Sequence, residues 1–98
     1  MKYSVVIKPL AESDIRDAVL WYEQQRSGLG EKFMEAIEEK LKLIEENPDL
    51  FEIKYKGTHQ AFLNRFPFAV HYIKDDERII VVGVLHTSRD PQIWKSRK

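Results

Sequence analysis

The stretch FPFAVHYIKDDERIIVVGVLHTSRDPQIW, from Phe66 to Trp94, decides the fold of this chain. Within it, two runs rich in β-branched and aromatic residues, 68–74 and 78–85, flank the charged sequence Asp-Asp-Glu. Two such runs joined by a short Asp-containing connection predict a β-hairpin. After its first residue the second run is apolar except at Gly83, so we expect that strand to be covered on both faces, in the interior of a sheet.

The apolar run stops after residue 85, and His86, Arg89 and Trp94 follow. An Arg can hold a phosphate or carboxylate with two parallel hydrogen bonds, and a His can transfer protons near neutral pH. An exposed Trp94 can stack on a base or fill a partner's pocket. The alternative is a structural cap, in which Arg89 pairs with Asp90, Pro91 begins a helical turn and Trp94 packs back onto the sheet. We favour this cap for Trp94 and keep both readings open for Arg89.

Upstream of this stretch the sequence predicts one strand and two helices. Residues 3–7 predict a strand, and residues 10–25 have apolar side chains at helical spacing. A second amphipathic helix is predicted from 29 to about 46. The short connection contains Gly28 and predicts an antiparallel helical hairpin, with Ser27 as the expected N-cap of the second helix.

The pattern changes from helical to alternating after the second helix. Residues 51–55 and 59–66 predict two more strands, and Pro67 predicts a bulge or break before the hairpin. This order of elements predicts an α+β fold. We expect an N-terminal strand and an antiparallel helical hairpin packed on one face of a mostly antiparallel sheet of four to five strands. We expect residues 1–98 to form one domain.

The composition is that of an ordinary globular chain. The 98 residues are 43% apolar and 33% charged, without cysteine, so disulfides and cysteine-based metal sites are excluded. The N-terminal apolar run is too short for a signal peptide, and no run is long enough to span a membrane. We therefore expect a cytoplasmic protein.

The charges of the chain are distributed unevenly, although the net charge is zero. Residues 1–50 hold seven Lys or Arg and eleven Asp or Glu, whereas residues 51–98 hold nine and five. A basic C-terminal half suggests an anionic partner. The alternative is that the helices simply collect Glu on their solvated faces.

Three basic residues, Lys54, Lys56 and Arg65, lie in the two predicted strands after the second helix. If these strands pair, their exposed faces form one basic strip. Arg89 and the C-terminal basic residues would extend this strip into a phosphate-binding surface, and those residues are Lys95, Arg97 and Lys98. The alternative role is solubility and protection of a sheet edge.

The remaining histidines, His59 and His71, are isolated in the sequence. Neither has a second His or a carboxylate at metal-ligand spacing, so we expect no metal site. The chain has no Gly-rich phosphate loop, zinc motif or nucleophile elbow, and we expect no cofactor. His71, within a strand, is most simply a structural residue.

Taken together, these features resemble the RelE/ParE superfamily of toxins from type II toxin–antitoxin modules. The resemblance covers nearly the whole chain and includes the order of the elements. Its motifs are AVLWY at 18–22, GLGEKF at 28–33, Asn47-Pro48, RFPFAVHY at 65–72 and IVVGVLHTSRDPQIW at 80–94.

Members that resemble RelE cleave mRNA on the ribosome with several Lys and Arg residues and a C-terminal Tyr. By position, Lys54, Lys56 and Arg89 match part of that basic set. Ala69 stands where these enzymes carry an Arg after an aromatic residue, and Trp94 stands near the position of the Tyr. An indole cannot ionise as a phenol does.

The resemblance therefore implies a ParE-like toxin more than a RelE-like one. Members that resemble ParE are associated with inhibition of DNA gyrase, and a small antitoxin encoded beside them neutralises them. We expect a binding inhibitor, not an enzyme, with His86, Arg89 and the tail around Trp94 near the gyrase contact. A homodimer or a toxin–antitoxin heterotetramer is a possible assembly.

Two alternatives stay open. One is a ribosome-dependent mRNA endoribonuclease whose candidate catalytic residues are Lys54, Arg65, His86 and Arg89, with ribosome and mRNA as partners. His86 would be its proton-transfer group. The other is a relative that binds antitoxin but is no longer toxic.

Overall fold

The computed structural model describes residues 3–97. In chain order, the elements are β1 (Ser4–Ile7), α1 (Pro9–Gln25), α2 (Leu29–Glu46), a 3-10 helix (Pro48–Leu50), β2 (Ile53–Tyr55), β3 (Thr58–Phe62), β4 (Phe68–Asp75), β5 (Arg78–His86) and α3 (Gln92–Lys95).

The predicted hairpin of β4 and β5 is confirmed. Asp75 pairs with Arg78, and the two-residue turn between them has Asp76 at a φ of 56°, a left-handed conformation that Asp tolerates. The sheet order is β1-β5-β4-β3-β2, so β5 lies inside the sheet, as its apolar sequence predicts. β5 is parallel to β1, and the other pairings are antiparallel.

The helical hairpin covers one face of this sheet and forms the main core with it. Alternate residues of β4, Val70 and Tyr72, pack with buried residues of both helices, among them Ile15, Phe33 and Ile37. The predicted α+β architecture is therefore confirmed. No helix within residues 3–97 is both long and apolar enough to cross a membrane.

The junction between α1 and α2 differs from the prediction. Ser27 does not cap α2. Its N-cap is Gly28, at a φ of 89°, and the Glu23 carboxylate accepts hydrogen bonds from the Gly28 and Gly30 N–H groups. A Cβ at Gly30 would lie 2.7 Å from the Val19 carbonyl oxygen, so glycine lets the two helices approach closely.

The region between β3 and β4 also differs from the prediction. A strand was expected over 59–66, but β3 ends at Phe62. The Leu63 N–H donates to the Phe68 carbonyl oxygen, which closes a turn around Pro67. Because proline has no N–H to donate, this part of the chain forms a loop, and it carries Arg65 away from the sheet.

Candidate functional site

A cavity of about 220 Å³ opens on the sheet face opposite the helical hairpin. Ala69 and His71 of β4 line it, and they alternate with the core residues of the same strand. We call this cavity the C-terminal pocket because residues after β5 form much of its wall. Its polar lining consists of Lys54, Gln60, His71, His86, Thr87, Arg89 and Lys95.

The C-terminal pocket brings together some of the predicted site residues. Lys54, His86, Arg89 and Trp94 all line it, although they come from three different parts of the sequence. Lys56 lies in the adjacent turn, with its ammonium 5.3 Å from the centroid of the Tyr55 ring. The positions of Lys54, His86, Arg89 and Trp94 agree with the grouping that the sequence suggested.

Arg65 is not part of the C-terminal pocket, so the basic strip of Lys54, Lys56 and Arg65 does not form. Arg65 borders a different cavity, beside α2. The prediction was wrong because it placed Arg65 on a strand, whereas β3 ends three residues earlier.

Trp94 is a buried wall of the pocket and not an exposed stacking platform. Only 6% of its surface is exposed, and its ring stacks on His71 with centroids 4.5 Å apart. The predicted helical turn after Pro91 is confirmed as α3. The structural reading of Trp94 is therefore confirmed, and the base-stacking reading is wrong.

His71 is neutral in this environment. Burial lowers its pKa from 6.5 to about 4, and the positive charge of Arg97 lowers it further, while the Gly83 backbone opposes the shift. His71 Nε2 lies 3.2 Å from Gln60 Nε2, and Nδ1 makes no hydrogen bond of normal geometry within residues 3–97. His71 thus contributes a neutral ring, not a cation, at physiological pH.

His86 is oriented by Ser88, two residues further along the chain. Its Nδ1 accepts a hydrogen bond from the Ser88 N–H at 3.0 Å and lies 2.7 Å from Ser88 Oγ. In the neutral ring the proton must then sit on Nε2. The imidazole also contacts the edge of Phe68, with centroids 5.3 Å apart.

The charged residues that line the pocket are all cations: Lys54, Arg89 and Lys95. Lys54 has one weak ion pair, 3.5 Å to Glu52. The Lys95 ammonium lies 4.9 Å from the Tyr55 ring centroid.

Arg89 forms no ion pair within the described part of the chain. The predicted alternative pairing with Asp90 is wrong, because the Asp90 carboxylate accepts from the Gln92 N–H instead. An anion entering the pocket would meet three positive charges.

A contact between Asp14 and Arg97, which sequence reasoning missed, holds this wall in place. Asp14 of α1 accepts hydrogen bonds from the Arg97 guanidinium, at 2.5 Å, and from the Val84 N–H, at 3.1 Å. Arg97 also donates to the Val82 carbonyl oxygen. The register shift between β4 and β5 leaves Val82 without a partner in the ladder, and β1 pairs with β5 only as far as Val81. Since Asp14 and Arg97 are 83 residues apart, no local sequence signal links them.

The arrangement favours binding of an anionic group. No group of three or more potential metal ligands is found among residues 3–97. His86 is the only partly exposed imidazole in the pocket, and no carboxylate lines the pocket with it. The C-terminal pocket therefore supplies positive charge and shape, and Asp14 and Asp17 line an adjoining cavity together with His86.

Comparisons with known proteins agree with this fold. Residues 5–91 match a family model described as the ParE toxin of the type II toxin–antitoxin system parDE. A solved chain described as the chromosomal ParDE TA system from P. aeruginosa superimposes with a TM-score of 0.72 at 17% identity, covering 86% of this chain and 95% of that one. At this identity the likeness shows the fold alone. No curated protein matched the sequence.

Proposed function

Because the chain belongs to the ParE toxin family of type II toxin–antitoxin systems, we propose that it is the toxin of such a pair and inhibits DNA gyrase by binding. We further propose that a cognate antitoxin neutralises it. One observation supports the proposal: a chain with the fold of this family has a cationic pocket in which Trp94 is buried and residue 69 is an uncharged Ala.

The antitoxin would cover the apolar surface beside β1 and α1. Leu20 is more than half exposed, although it lies on a helix that packs against the core. A cavity of about 360 Å³, nearly all apolar, runs between the end of β1 at Ile7 and Met34 of α2. β1 also pairs with β5 alone, so one backbone edge is open to an added strand. An extended or helical segment that folds on binding suits such a surface.

Gyrase would meet the C-terminal pocket on the other sheet face. Lys54, Arg89 and Lys95 would contact acidic groups of the enzyme, and the exposed position of Arg89 suits the two-pronged recognition of a carboxylate. His86, held by Ser88, would supply a fixed N–H donor beside them. Such contacts need no chemical step by the toxin.

The second candidate function is cleavage of ribosome-bound mRNA. It is favoured by Lys54, His86 and Arg89 lining one pocket, where three kinds of basic side chain could contact a phosphodiester. It is disfavoured by Trp94, because a buried indole can neither accept nor release a proton as a Tyr does.

Pulse labelling after induction separates these functions. Bacteria that express the chain without antitoxin would receive labelled thymidine or labelled methionine in the first minutes. We expect thymidine incorporation to fall first, since gyrase inhibition blocks replication. If methionine incorporation falls first, translation is the target and the second candidate replaces the first. If neither falls and growth continues, the chain is a non-toxic relative.

Neutralisation has its own test. We expect Leu20→Glu to keep the chain toxic but to prevent rescue by the protein encoded beside it, because a charge would enter an apolar contact. Arg26→Glu, in the turn between the helices, is the matched control and should still be rescued. Rescue of the Leu20→Glu variant would reject this surface.

A further inference from the structure

A second cavity, of about 380 Å³, lies between α2 and the loop before β4. We call it the α2 cleft. Three cations line it, namely Lys40 and Lys42 from α2 and Arg65 from the loop, and Asn64 lies beside them. None of these residues borders the C-terminal pocket or takes part in the function proposed above.

Lys40 stands at a position of α2 that the helix otherwise fills with apolar residues. It follows Phe33 and Ile37 at helical spacing, precedes Ile44, and is only 7% exposed. Its ammonium lies 5.2 Å from the centroid of the Phe51 ring. A cation over an aromatic ring gains a modest stabilisation, and it keeps its full positive charge for a ligand.

The cations of the α2 cleft have no anionic partners in the described protein. Neither Lys40, Lys42 nor Arg65 forms an ion pair within residues 3–97. Glu39 and Glu46 border the cleft, but both are exposed on the outer side of α2 and neither lies within ion-pair distance of these cations. A cluster of three cations without ion-pair partners, at the wall of an open cavity, is the arrangement expected of a site that receives an anion.

We propose that the α2 cleft binds a carboxylate group, with Lys40 as its counter-charge and Arg65 and Asn64 as hydrogen-bond donors. Arg65 offers the planar fork that matches a carboxylate. The two glutamates at the rim disfavour a doubly charged phosphate more than a singly charged carboxylate. The site is independent of gyrase binding, so a failure to bind carboxylate would not affect the gyrase proposal.

The carboxylate could come from an acidic side chain of a partner protein or from a small carboxylic acid. Leu43, which is exposed at the rim, offers apolar contact to the chain next to an acidic side chain. N-acetyl-glutamate N-methylamide and sodium acetate are therefore the two probes. Tighter binding of the capped glutamate points to a partner protein, and equal binding points to a small acid.

The test is an NMR titration of the full chain at constant ionic strength. Sodium acetate should produce saturable shifts of the Asn64 and Arg65 amides. Lys40→Met and Arg65→Gln should each weaken this binding about tenfold or more, as expected for loss of one charge-assisted contact. Lys32→Met removes an exposed cation of the same helix outside the cleft and should bind acetate like the wild type.

Folding and binding are separated by thermal unfolding of the same variants. If Lys40 serves a ligand, Lys40→Met should melt at the wild-type temperature or above, because the mostly buried alkyl chain is replaced by an apolar side chain of similar length. A lower melting temperature with unchanged acetate binding would overturn the proposal, since Lys40 would then be structural. Absence of saturable shifts, or tighter binding of inorganic phosphate than of acetate, would overturn it as well.

Discussion

The two faces of the sheet are built on different physical principles. The face under α1 and α2 is closed by apolar packing, with Phe33 and Ile37 fully buried. The opposite face is covered in part by the short helix α3, and it is held by a stacked His71–Trp94 pair and by the ion pair of Asp14 with Arg97. The first face sets stability, and the second presents charge. A protein of this size can therefore vary one face without losing the fold.

The difference between the faces also separates what the sequence predicted from what it did not. Hydrophobic periodicity repeats every few residues, so the helices, the β4–β5 hairpin and the interior position of β5 could all be read from it. The Asp14–Arg97 pair depends on residues from opposite ends of the chain, and no periodic pattern records such a contact. Arg65 was misplaced because alternation continues past the end of β3 into a loop.

The candidate site was predictable only in part. His86 and Arg89 were found because an apolar strand ends just before them, and Lys54 was found as a charged residue in an alternating strand. Gln60 and the buried state of His71 depend on which strands are neighbours and on what α3 covers. Alternation fixes the faces of strands, but not their order in the sheet.

The largest effect is expected on the apolar face. Phe33→Ala removes a ring that contacts Tyr22, Phe66 and Phe68 at centroid distances of 5.3, 5.1 and 5.0 Å. We expect the free energy of unfolding to fall by about 3–5 kcal/mol, from lost burial and the cavity left behind. Urea unfolding of the two proteins measures this loss of stability. A loss below about 1 kcal/mol would show that this face is not the main core.

The next effect is a pH dependence on the other face. Because the pKa of His71 is about 4 in the folded protein and near 6.5 when unfolded, the unfolded chain binds more protons between these values. The contribution of neutral His71 to the free energy of unfolding is fully present above pH 6.5 and is lost as the pH falls to 4. This contribution amounts to at most about 3 kcal/mol.

Urea unfolding at a series of pH values checks this pH dependence. The wild type should lose more stability than His71→Gln on acidification, because Gln does not titrate in this range. NMR titration of the His71 ring should give a pKa well below 6.5. An ordinary pKa, or equal acid sensitivity of the two proteins, would contradict a buried neutral ring.

A smaller loss of stability is expected from the ion pair that holds the C-terminal wall. Asp14→Asn leaves Arg97 without its counter-charge, and the two side chains are 13% and 16% exposed. We expect a loss of about 1–3 kcal/mol, reduced from the fully buried case by this partial exposure. In a Trp21→Phe background, Trp94 emission should also shift to longer wavelength as the wall loosens.

The matched control for that ion pair is Asp17→Asn, one turn further along α1. Asp17 is exposed and forms no ion pair within the described residues. The free energy of unfolding of Asp17→Asn should lie within about 0.5 kcal/mol of the wild-type value, with unchanged Trp94 emission. Equal effects of the two substitutions would show that helix charge, not the contact with Arg97, is responsible.

The smallest effect on stability is expected at Arg89, where the effect on function should be large. Arg89 is exposed and unpaired within residues 3–97, so Arg89→Gln should change the free energy of unfolding by less than about 0.5 kcal/mol. The same variant should weaken growth arrest in induced bacteria. Full toxicity of this variant would remove Arg89 from the contact.

The most direct test of the account is supercoiling of relaxed plasmid by purified DNA gyrase in the presence of the purified chain. We predict inhibition by the wild type and little or none by a folded variant with Lys54→Gln, Arg89→Gln and Lys95→Gln, because the cations of the C-terminal pocket would be gone. Full inhibition by this variant, or no inhibition by the wild type, would contradict the proposal that the pocket face acts on gyrase.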